Sequence, residues 1–331
     1  MAPVSPPHAW EVPRRASVAA WRTFNTTLDE VFYDVGALSS GERAALAAHA
    51  APEGAVLVVH PGASSEAIRR FAPVDFVREQ ETANGAAVDT VVIAGVGSSA
   101  LGTAALARDV ADHLGRPVAG IVSGLGMSDV LSEALGGWFV FGARNTLRET
   151  LAVLFDAYDL RDHVRDDSTH RDMKQRFISA GVDTDHFIYG SPDSATLLYL
   201  LLKLGGRIRR LVGHSKGNYS IENALEGWLE HARHTGTPIH PALCIVTLGA
   251  VIRFPPDFGD LYQLIGQLDY FGLLNSRLFV ERIGVPGAAH SLNLAVPAHL
   301  SVRAALETVD RLKAHDRIHG ARLERERSTL R

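Results

Sequence analysis

The chain contains very little cysteine and no long apolar segment. Cys244 is the single cysteine among 331 residues, so no disulfide can form within the chain. Because it lies inside the apolar run 242–248, we expect its thiol in the core rather than in a reactive site. No apolar run approaches the ~20 residues that span a bilayer, and the stretch MAPVSPPHAW lacks the pattern of a signal peptide. These absences predict a cytoplasmic protein with no membrane span.

An excess of charge of one sign is also missing. The formal net charge is -4, with 33 basic and 37 acidic residues interspersed along the chain. This balance gives no electrostatic footprint for a nucleic acid or an anionic membrane, and we expect neither as a partner. A small neutral or mildly polar substrate fits the composition. The length and the 46% hydrophobic content suffice for one large α/β domain that carries an insertion.

Glycine is plentiful, and its most informative placement is around Ser215. A short apolar run ends at GHSKG, residues 213–217, and passes directly into residues typical of a helix. The order strand, G-x-S-x-G, helix is that of a nucleophile elbow. Both flanking glycines are expected there, because a side chain at either site would hit the adjacent strand or helix. The pattern predicts Ser215 as a nucleophile and gives His214 a structural role in the turn.

A second glycine loop, GVGSS at 95–99, follows a predicted strand at 90–94. An alanine-rich predicted helix and a strand at 118–122 complete a βαβ unit. In one interpretation the backbone N–H groups of Val96 and Lys216 form an oxyanion hole.

The other interpretation of this loop is a dinucleotide fingerprint, because G-x-G-x-x-A fits residues 95–100. That fingerprint also requires an acidic residue at the end of the second strand, where residues 123–126 read SGLG. We therefore favour the oxyanion loop.

An acid and a histidine follow the elbow in the chain. Asp269 comes just after a predicted strand at 262–266, and His290 lies in the small-residue loop after a predicted strand at 278–283. In a parallel sheet the loops after successive strands meet at one edge, so we expect Ser215, Asp269 and His290 to lie close together.

Other acids and histidines compete for these roles. Asp257 and Asp260 precede the strand rather than follow it, and rank below Asp269. His231, His234 and His240 could be read as a metal cluster, but without a carboxylate partner they are more typical of a solvated face, and we expect no metal.

The elbow, the glycine loop and the histidine turn together resemble the α/β-hydrolase superfamily over residues 89–312, less the insertion, with some likeness to lipases and esterases at VTLG, 246–249. Two departures leave the subfamily open, since Ala94 stands where many members have histidine and Lys216 occupies a site that is usually apolar or an amide. The resemblance implies a doubly wound, mainly parallel sheet and covalent acyl transfer without a cofactor. His290 would move the proton and Asp269 would orient its ring.

The domain organisation that we predict is an arm and helix over 1–53, followed by a hydrolase domain over 54–331 with a helical insertion at about 128–192. Further strands are predicted at 55–59, 74–77 and 240–251, with a hairpin-type end at 84–85. The insertion carries an apolar stripe at helical spacing and a charged flank, so it fits a lid over the site as well as plain scaffolding.

The function that we expect is hydrolysis of a small-molecule acyl ester or thioester. One alternative is a catalytically silent binding or scaffold protein of the same fold, and another is a dinucleotide-dependent oxidoreductase. The acyl group, the leaving group and the oligomeric state are not indicated by the sequence.

Overall fold

The computed structural model describes residues 29–48, 51–62, 68–82, 87–95, 98–123, 191–239, 242–277 and 279–329, with side chains as far as residue 315. Three predicted features lie outside these residues: the proline-rich arm, the turn at 84–85, and the insertion at 128–192 apart from its last two residues. The lid hypothesis is therefore not addressed by the described part of the chain.

Among the described residues, eight strands form one sheet in the order β2-β1-β4-β3-β5-β6-β7-β8. Strand β1 is antiparallel to both of its neighbours, whereas β4, β3 and β5 to β8 run parallel. The predicted mainly parallel α/β sheet is confirmed. The strand bounds are β1 Val56–Val59, β2 Arg69–Phe71, β3 Thr90–Ile93, β4 Val118–Ile121, β5 Arg210–His214, β6 Cys244–Leu248, β7 Leu261–Gly266 and β8 Ile283–Val285.

The ends of two helices follow from the residues that flank them. The third helix starts after Ser99, whose side chain accepts a hydrogen bond from the Leu101 N–H, and it ends at Gly115 in a left-handed conformation with φ 66°. The fourth has Pro192 at its first position and Gly205 just past its end. The helix bounds are α1 Ser40–Ala48, α2 Pro73–Thr82, α3 Ala100–Leu114, α4 Pro192–Leu204, α5 Lys216–Thr235, α6 Tyr270–Leu274 and α7 Val302–Thr329.

Helices cover both faces of the sheet. Alternate side chains of each central strand enter different hydrophobic clusters, as Val91 and Val92 of β3 illustrate. On one face the strands pack against α2, α4 and α5, and on the other against α3, α7 and the segment 33–38. Cys244 is buried in the second cluster, as expected from its apolar surroundings. The parallel strands therefore present their carboxyl ends at one edge, between two helical layers.

Two predicted strands are wrong. Residues 74–77 belong to α2, which starts at Pro73 with Asp75 in its first turn and buries Phe76, Val77 and Gln80 on one face, so helical rather than strand periodicity applies. The strand expected at 278–283 begins instead at Ile283.

Pairing with β7 explains why β8 starts later than predicted. Ile283 lies opposite Leu264, and only the three residues of β8 pair with β7. Phe279, inside the expected strand, is 97% exposed. Strand β2 was not predicted at all.

Within the described residues, none of the helices combines the length and the apolar character needed to cross a bilayer.

Candidate active site

Ser215 lies in a sharp, strained turn between β5 and α5. Its φ is 53° and its ψ is -117°, a left-handed backbone that side-chain-bearing residues rarely adopt. Such strain persists only where the surroundings hold it. The Ser215 N–H donates to the Leu248 carbonyl at 2.9 Å, and the Asn218 side chain donates to the carbonyls of Leu248 and Ala250 at 3.1 and 2.9 Å. The end of β6 thus holds the turn in place.

The glycines on either side of the turn are required by close packing. A Cβ on Gly213 would lie 2.4 Å from Asn218 Oδ1 in α5, and a Cβ on Gly217 would lie 2.2 Å from the Ile93 carbonyl oxygen at the end of β3. As expected, a side chain at either site would hit the adjacent helix or strand. This packing brings the start of α5 against the central strand.

Asp269 and His290 form a hydrogen-bonded pair at the carboxyl edge of the sheet. Asp269 follows β7, is 1% exposed, and accepts the Gly272 N–H at 2.6 Å. His290 Nδ1 lies 2.8 Å from Asp269 Oδ2 and 3.0 Å from Oδ1. An ionised carboxylate only accepts hydrogen bonds, so Nδ1 carries the proton and Nε2 is the basic nitrogen of the neutral ring.

The elbow, the loop that contains His290 and the glycine loop that begins at Gly95 meet at this edge. The His290 carbonyl is 3.1 Å from Nε2 of His214, the residue directly before Ser215, and the two imidazole centroids are 4.8 Å apart. A Cβ on Gly95 would lie 3.2 Å from the Ser215 Cβ. In the described part of the chain no hydrogen bond joins the Ser215 hydroxyl to the His290 ring.

Of the two residues predicted to form the oxyanion hole, the structure describes Lys216 but not Val96. Lys216 is the first residue of α5, where the N–H groups carry the positive end of the helix dipole. Its side chain is buried, with Nζ 3.9 Å from Asp193 Oδ2. Val96 lies outside the described residues, although Gly95 immediately before it is described.

The competing residues lie elsewhere. Asp260 precedes β7, at the opposite edge of the sheet, and forms an ion pair with Lys313, whereas Asp257 is exposed in the preceding turn. His231 and His234 lie near the end of α5, and His240 is outside the described residues. Across the described residues, no group of three or more His, Cys, Asp or Glu side chains is placed to hold a metal ion.

No protein-family model, curated protein or solved structure matches this chain.

Two of the residues that organise this edge were not singled out from the sequence. Asp29 is fully buried and accepts hydrogen bonds from Ser98 Oγ at 3.0 Å, Ser99 N at 3.1 Å and Ser99 Oγ at 2.5 Å. Burial raises the pKa of the Asp29 carboxyl to about 6, although the bonds from Ser99 and Ser98 act against it. Tyr33 is 3% exposed and accepts the Gly95 N–H at 2.6 Å.

Asp193 is a third buried residue beside the elbow. It accepts hydrogen bonds from Ser123 Oγ at 3.0 Å and Ser220 Oγ at 2.9 Å, and also from Ser191 Oγ. Apart from Ser191, the partners named for these acids are distant in the chain, 69 residues apart for Asp29 and Ser98 and 70 for Ser123 and Asp193. No local pattern could have found them.

Proposed function

We propose that the protein is a serine hydrolase of the α/β-hydrolase type that cleaves an ester or thioester through an acyl-enzyme intermediate. The observation that carries this proposal is the buried Asp269–His290 pair beside a serine with a strained, positive φ. The strand–serine–helix order and the meeting of the three loops at one sheet edge support it further.

In the proposed reaction Ser215 Oγ attacks the substrate carbonyl and its proton passes to His290 Nε2. Asp269 holds Nδ1–H and stabilises the imidazolium that forms. The tetrahedral intermediate collapses to an acyl-serine ester, and the leaving alcohol or thiol takes the proton from Nε2. Water then attacks the acyl-serine by the same proton transfers and restores Ser215. The reaction requires no metal and no organic cofactor.

The negative oxygen of the intermediate needs donors, and the proposed ones are the backbone N–H groups of Lys216 and Val96. The first belongs to the start of α5, whose dipole favours negative charge. With a phosphonate bound at Ser215, the phosphoryl oxygen should lie about 2.7 to 3.1 Å from both nitrogens. A crystal structure of that adduct with the oxygen turned away from Gly95 would refute this assignment.

The side chains around His290 favour an apolar group on the substrate. The rings of Phe32 and Phe271 lie 5.8 and 6.4 Å from the His290 ring. Phe271 is 56% exposed, and its neighbours Tyr270 and Leu274 in α6 are also exposed. We therefore expect specificity constants to rise with acyl length over p-nitrophenyl esters and acyl thioesters. A flat profile from two to ten carbons would contradict an apolar acyl site.

The dinucleotide alternative is disfavoured by Asp29. In a dinucleotide fold the pyrophosphate binds the N–H groups at the start of the helix that follows the glycine loop. Here that helix is α3, and the Asp29 carboxylate already accepts from Ser99 at its N-terminus. Above pH 6 this carboxylate is ionised and would repel a phosphate. The absence of a nucleotide-dependent shift in Tm tests this conclusion.

A fluorophosphonate probe separates the hydrolase from a silent binding or scaffold protein of the same fold. We expect intact-protein mass spectrometry to show one adduct on the parent, none on Ser215→Ala, and one on Ser220→Ala. The last variant is the matched control, because Ser220 lies on the same helix but faces Asp193. A parent that neither reacts nor hydrolyses esters would favour the scaffold function. An adduct that persists on Ser215→Ala would identify a different nucleophile.

A further inference from the structure

A chain of three hydrogen bonds runs behind the proposed site and uses two buried residues that the reaction itself does not. Tyr33 Oη accepts the Gly95 N–H at 2.6 Å and lies 2.9 Å from His214 Nδ1. His214 Nε2 lies 3.1 Å from the carbonyl oxygen of His290. The Tyr33 and His214 side chains are 3% and 1% exposed, so water does not compete for these groups.

The donors and acceptors of this chain have one self-consistent assignment. A carbonyl oxygen only accepts, so His214 Nε2 must carry its proton and Nδ1 must accept from the Tyr33 hydroxyl. Burial and the nearby His290 hold the pKa of His214 well below its usual range, so the ring is neutral, as this assignment requires. Every bond in the chain is therefore satisfied in a single direction.

The two ends of the chain belong to different parts of the proposed machinery. Gly95 begins the loop that contains Val96, and His290 carries the imidazole that contacts Asp269. His214 stands between them and is covalently joined to Ser215. The Tyr33–His214 pair thus connects the oxyanion loop, the nucleophile and the general base from behind.

The segment that carries Tyr33, residues 29–33, is itself held at both the oxyanion loop and the loop that contains His290. On one side its Asp29 carboxylate accepts from Ser98 and Ser99, the last two residues of the oxyanion loop.

On the other side its backbone carbonyls accept from the residues after His290. The donors are Asn293 Nδ2 to the Glu30 carbonyl at 2.6 Å, Ser291 Oγ to Val31 at 2.8 Å and Leu292 N to Phe32 at 2.8 Å. The position of Tyr33 is therefore determined by the same two loops that the Tyr33–His214 pair connects.

We propose that Tyr33 and His214 are positioning residues, which hold the Gly95 loop and the His290 loop at the separation that acyl transfer at Ser215 requires. This inference rests on the proposed function. The Tyr33–His214 pair moves no proton to the substrate, because the Nε2–H of His214 donates to the backbone carbonyl of His290 and not to its ring. A misplacement of about 1 Å at a catalytic group can lower turnover about 100-fold, which sets the scale of the expected effect.

The first experiment compares Tyr33→Phe with Tyr219→Phe. The control likewise removes one tyrosine hydroxyl, but that hydroxyl donates to the Asn275 carbonyl at 2.6 Å and has no part in the chain of hydrogen bonds. We expect Tyr33→Phe to lower kcat about 100-fold with KM nearly unchanged, while Tyr219→Phe keeps the kcat of the parent. Equal kcat values in the two variants would overturn the proposal.

If Tyr33→Phe does not fold, His214→Asn serves in its place. The shorter amide can still accept from Tyr33 but cannot reach the His290 carbonyl, so only that connection is cut. We expect the same loss of kcat at nearly unchanged KM. A kcat equal to that of the parent would again overturn the proposal.

The second measurement does not depend on activity. In ¹⁵N NMR spectra of the histidine rings, His214 should show a neutral ring protonated at Nε2 throughout pH 6 to 8. Amide exchange at Gly95 should be faster in Tyr33→Phe than in Tyr219→Phe.

The two readouts separate the two hypotheses. A parent without fluorophosphonate labelling or ester turnover would refute the proposed function, and the ring spectra would still decide whether the connection exists. A His214 ring protonated at both nitrogens, or at Nδ1 alone, would refute the connection even if Ser215 is the nucleophile.

Discussion

Two buried carboxylates flank the elbow, and they differ in what they face. Asp269 is 1% exposed and Asp193 is 0% exposed. Asp269 lies 2.8 Å from Nδ1 of His290, whose side chain is 14% exposed. Asp193 lies 3.9 Å from Nζ of Lys216, whose side chain is 5% exposed, and it accepts from three serine hydroxyls. Each acid therefore has a basic partner next to Ser215 in space or in sequence.

The difference between the two pairs is the chemistry and the solvent access of the partner. An imidazole changes its charge near neutral pH and keeps one nitrogen available while the other bonds a carboxylate. An ammonium buried beside a carboxylate and serine hydroxyls has no such second function, and its ion pair belongs to the packing of α4 against α5. Burial of an acid is thus not enough to identify a candidate catalytic group, and the chemistry of its basic partner distinguishes Asp269 from Asp193.

The largest expected effect comes from removing the imidazole. His290→Ala should lower kcat about 10⁶-fold, because it removes the proposed base that takes the Ser215 proton. Steady-state ester hydrolysis at pH 7 measures it, with unfolding curves to show that the fold is intact. A loss of less than tenfold would mean that another base serves Ser215, and the Asp269–His290 pair would then not differ from the Asp193–Lys216 pair in its role.

The acids themselves give the next effect. Asp269→Asn should lower kcat about 10⁴-fold at pH 7, because the amide no longer fixes the Nε2-basic form of His290. Asp260→Asn is the control, since Asp260 pairs with Lys313 at the opposite edge of the sheet. If the Asp260 variant lost more activity than the Asp269 variant, the acid would be misassigned.

Asp193→Asn tests whether the Asp193–Lys216 pair contributes to stability rather than to catalysis. Removing its charge takes away the carboxylate that lies 3.9 Å from the buried Lys216 ammonium, which should reduce the free energy of unfolding by about 3 kcal/mol. The kcat of the variant that remains folded should stay within about tenfold of the parent, far from the loss expected for Asp269→Asn. Chemical denaturation and hydrolysis assays on the same sample provide both numbers. A stable but inactive Asp193 variant would place this pair in the chemistry.

A third buried carboxylate, Asp29, gives the smallest effect and a pH dependence. Its pKa is raised from 3.8 to about 6, mainly by burial. Between these values the folded state binds more protons than the unfolded state, so this group makes the free energy of unfolding fall as pH rises from about 4 to about 6. The contribution is at most about 3 kcal/mol, and it is complete above that window.

Asp29→Asn removes this contribution. Denaturation curves at several pH values should therefore give the variant a more positive slope of unfolding free energy against pH than the parent has between pH 4 and 6. Identical slopes would show that Asp29 titrates normally. The comparison of slopes does not depend on any constant cost of the substitution.

Several features of the fold were predictable because their causes are local. The caps of α3 and α4, the strands at 90–93 and 118–121, and the two glycines of the elbow follow from residues that are neighbours in the chain. The misassigned segments failed for the opposite reason. Pro73 and the face of Phe76, Val77 and Gln80 make α2 helical once it packs, and the register with β7 shifts β8 to Ile283–Val285.

By itself, the sequence determined the mainly parallel α/β sheet and the candidates Ser215, Asp269 and His290, because strand order and motif spacing bring carboxyl-end loops together. Only the tertiary structure decided that Asp269 contacts His290 and that Asp193 contacts Lys216 instead. The tertiary structure also decided that Tyr33 connects Gly95 to His214. Tyr33 is separated from these two residues by 62 and 181 positions. Contacts over such separations depend on the register and twist of the whole sheet, which no local pattern encodes.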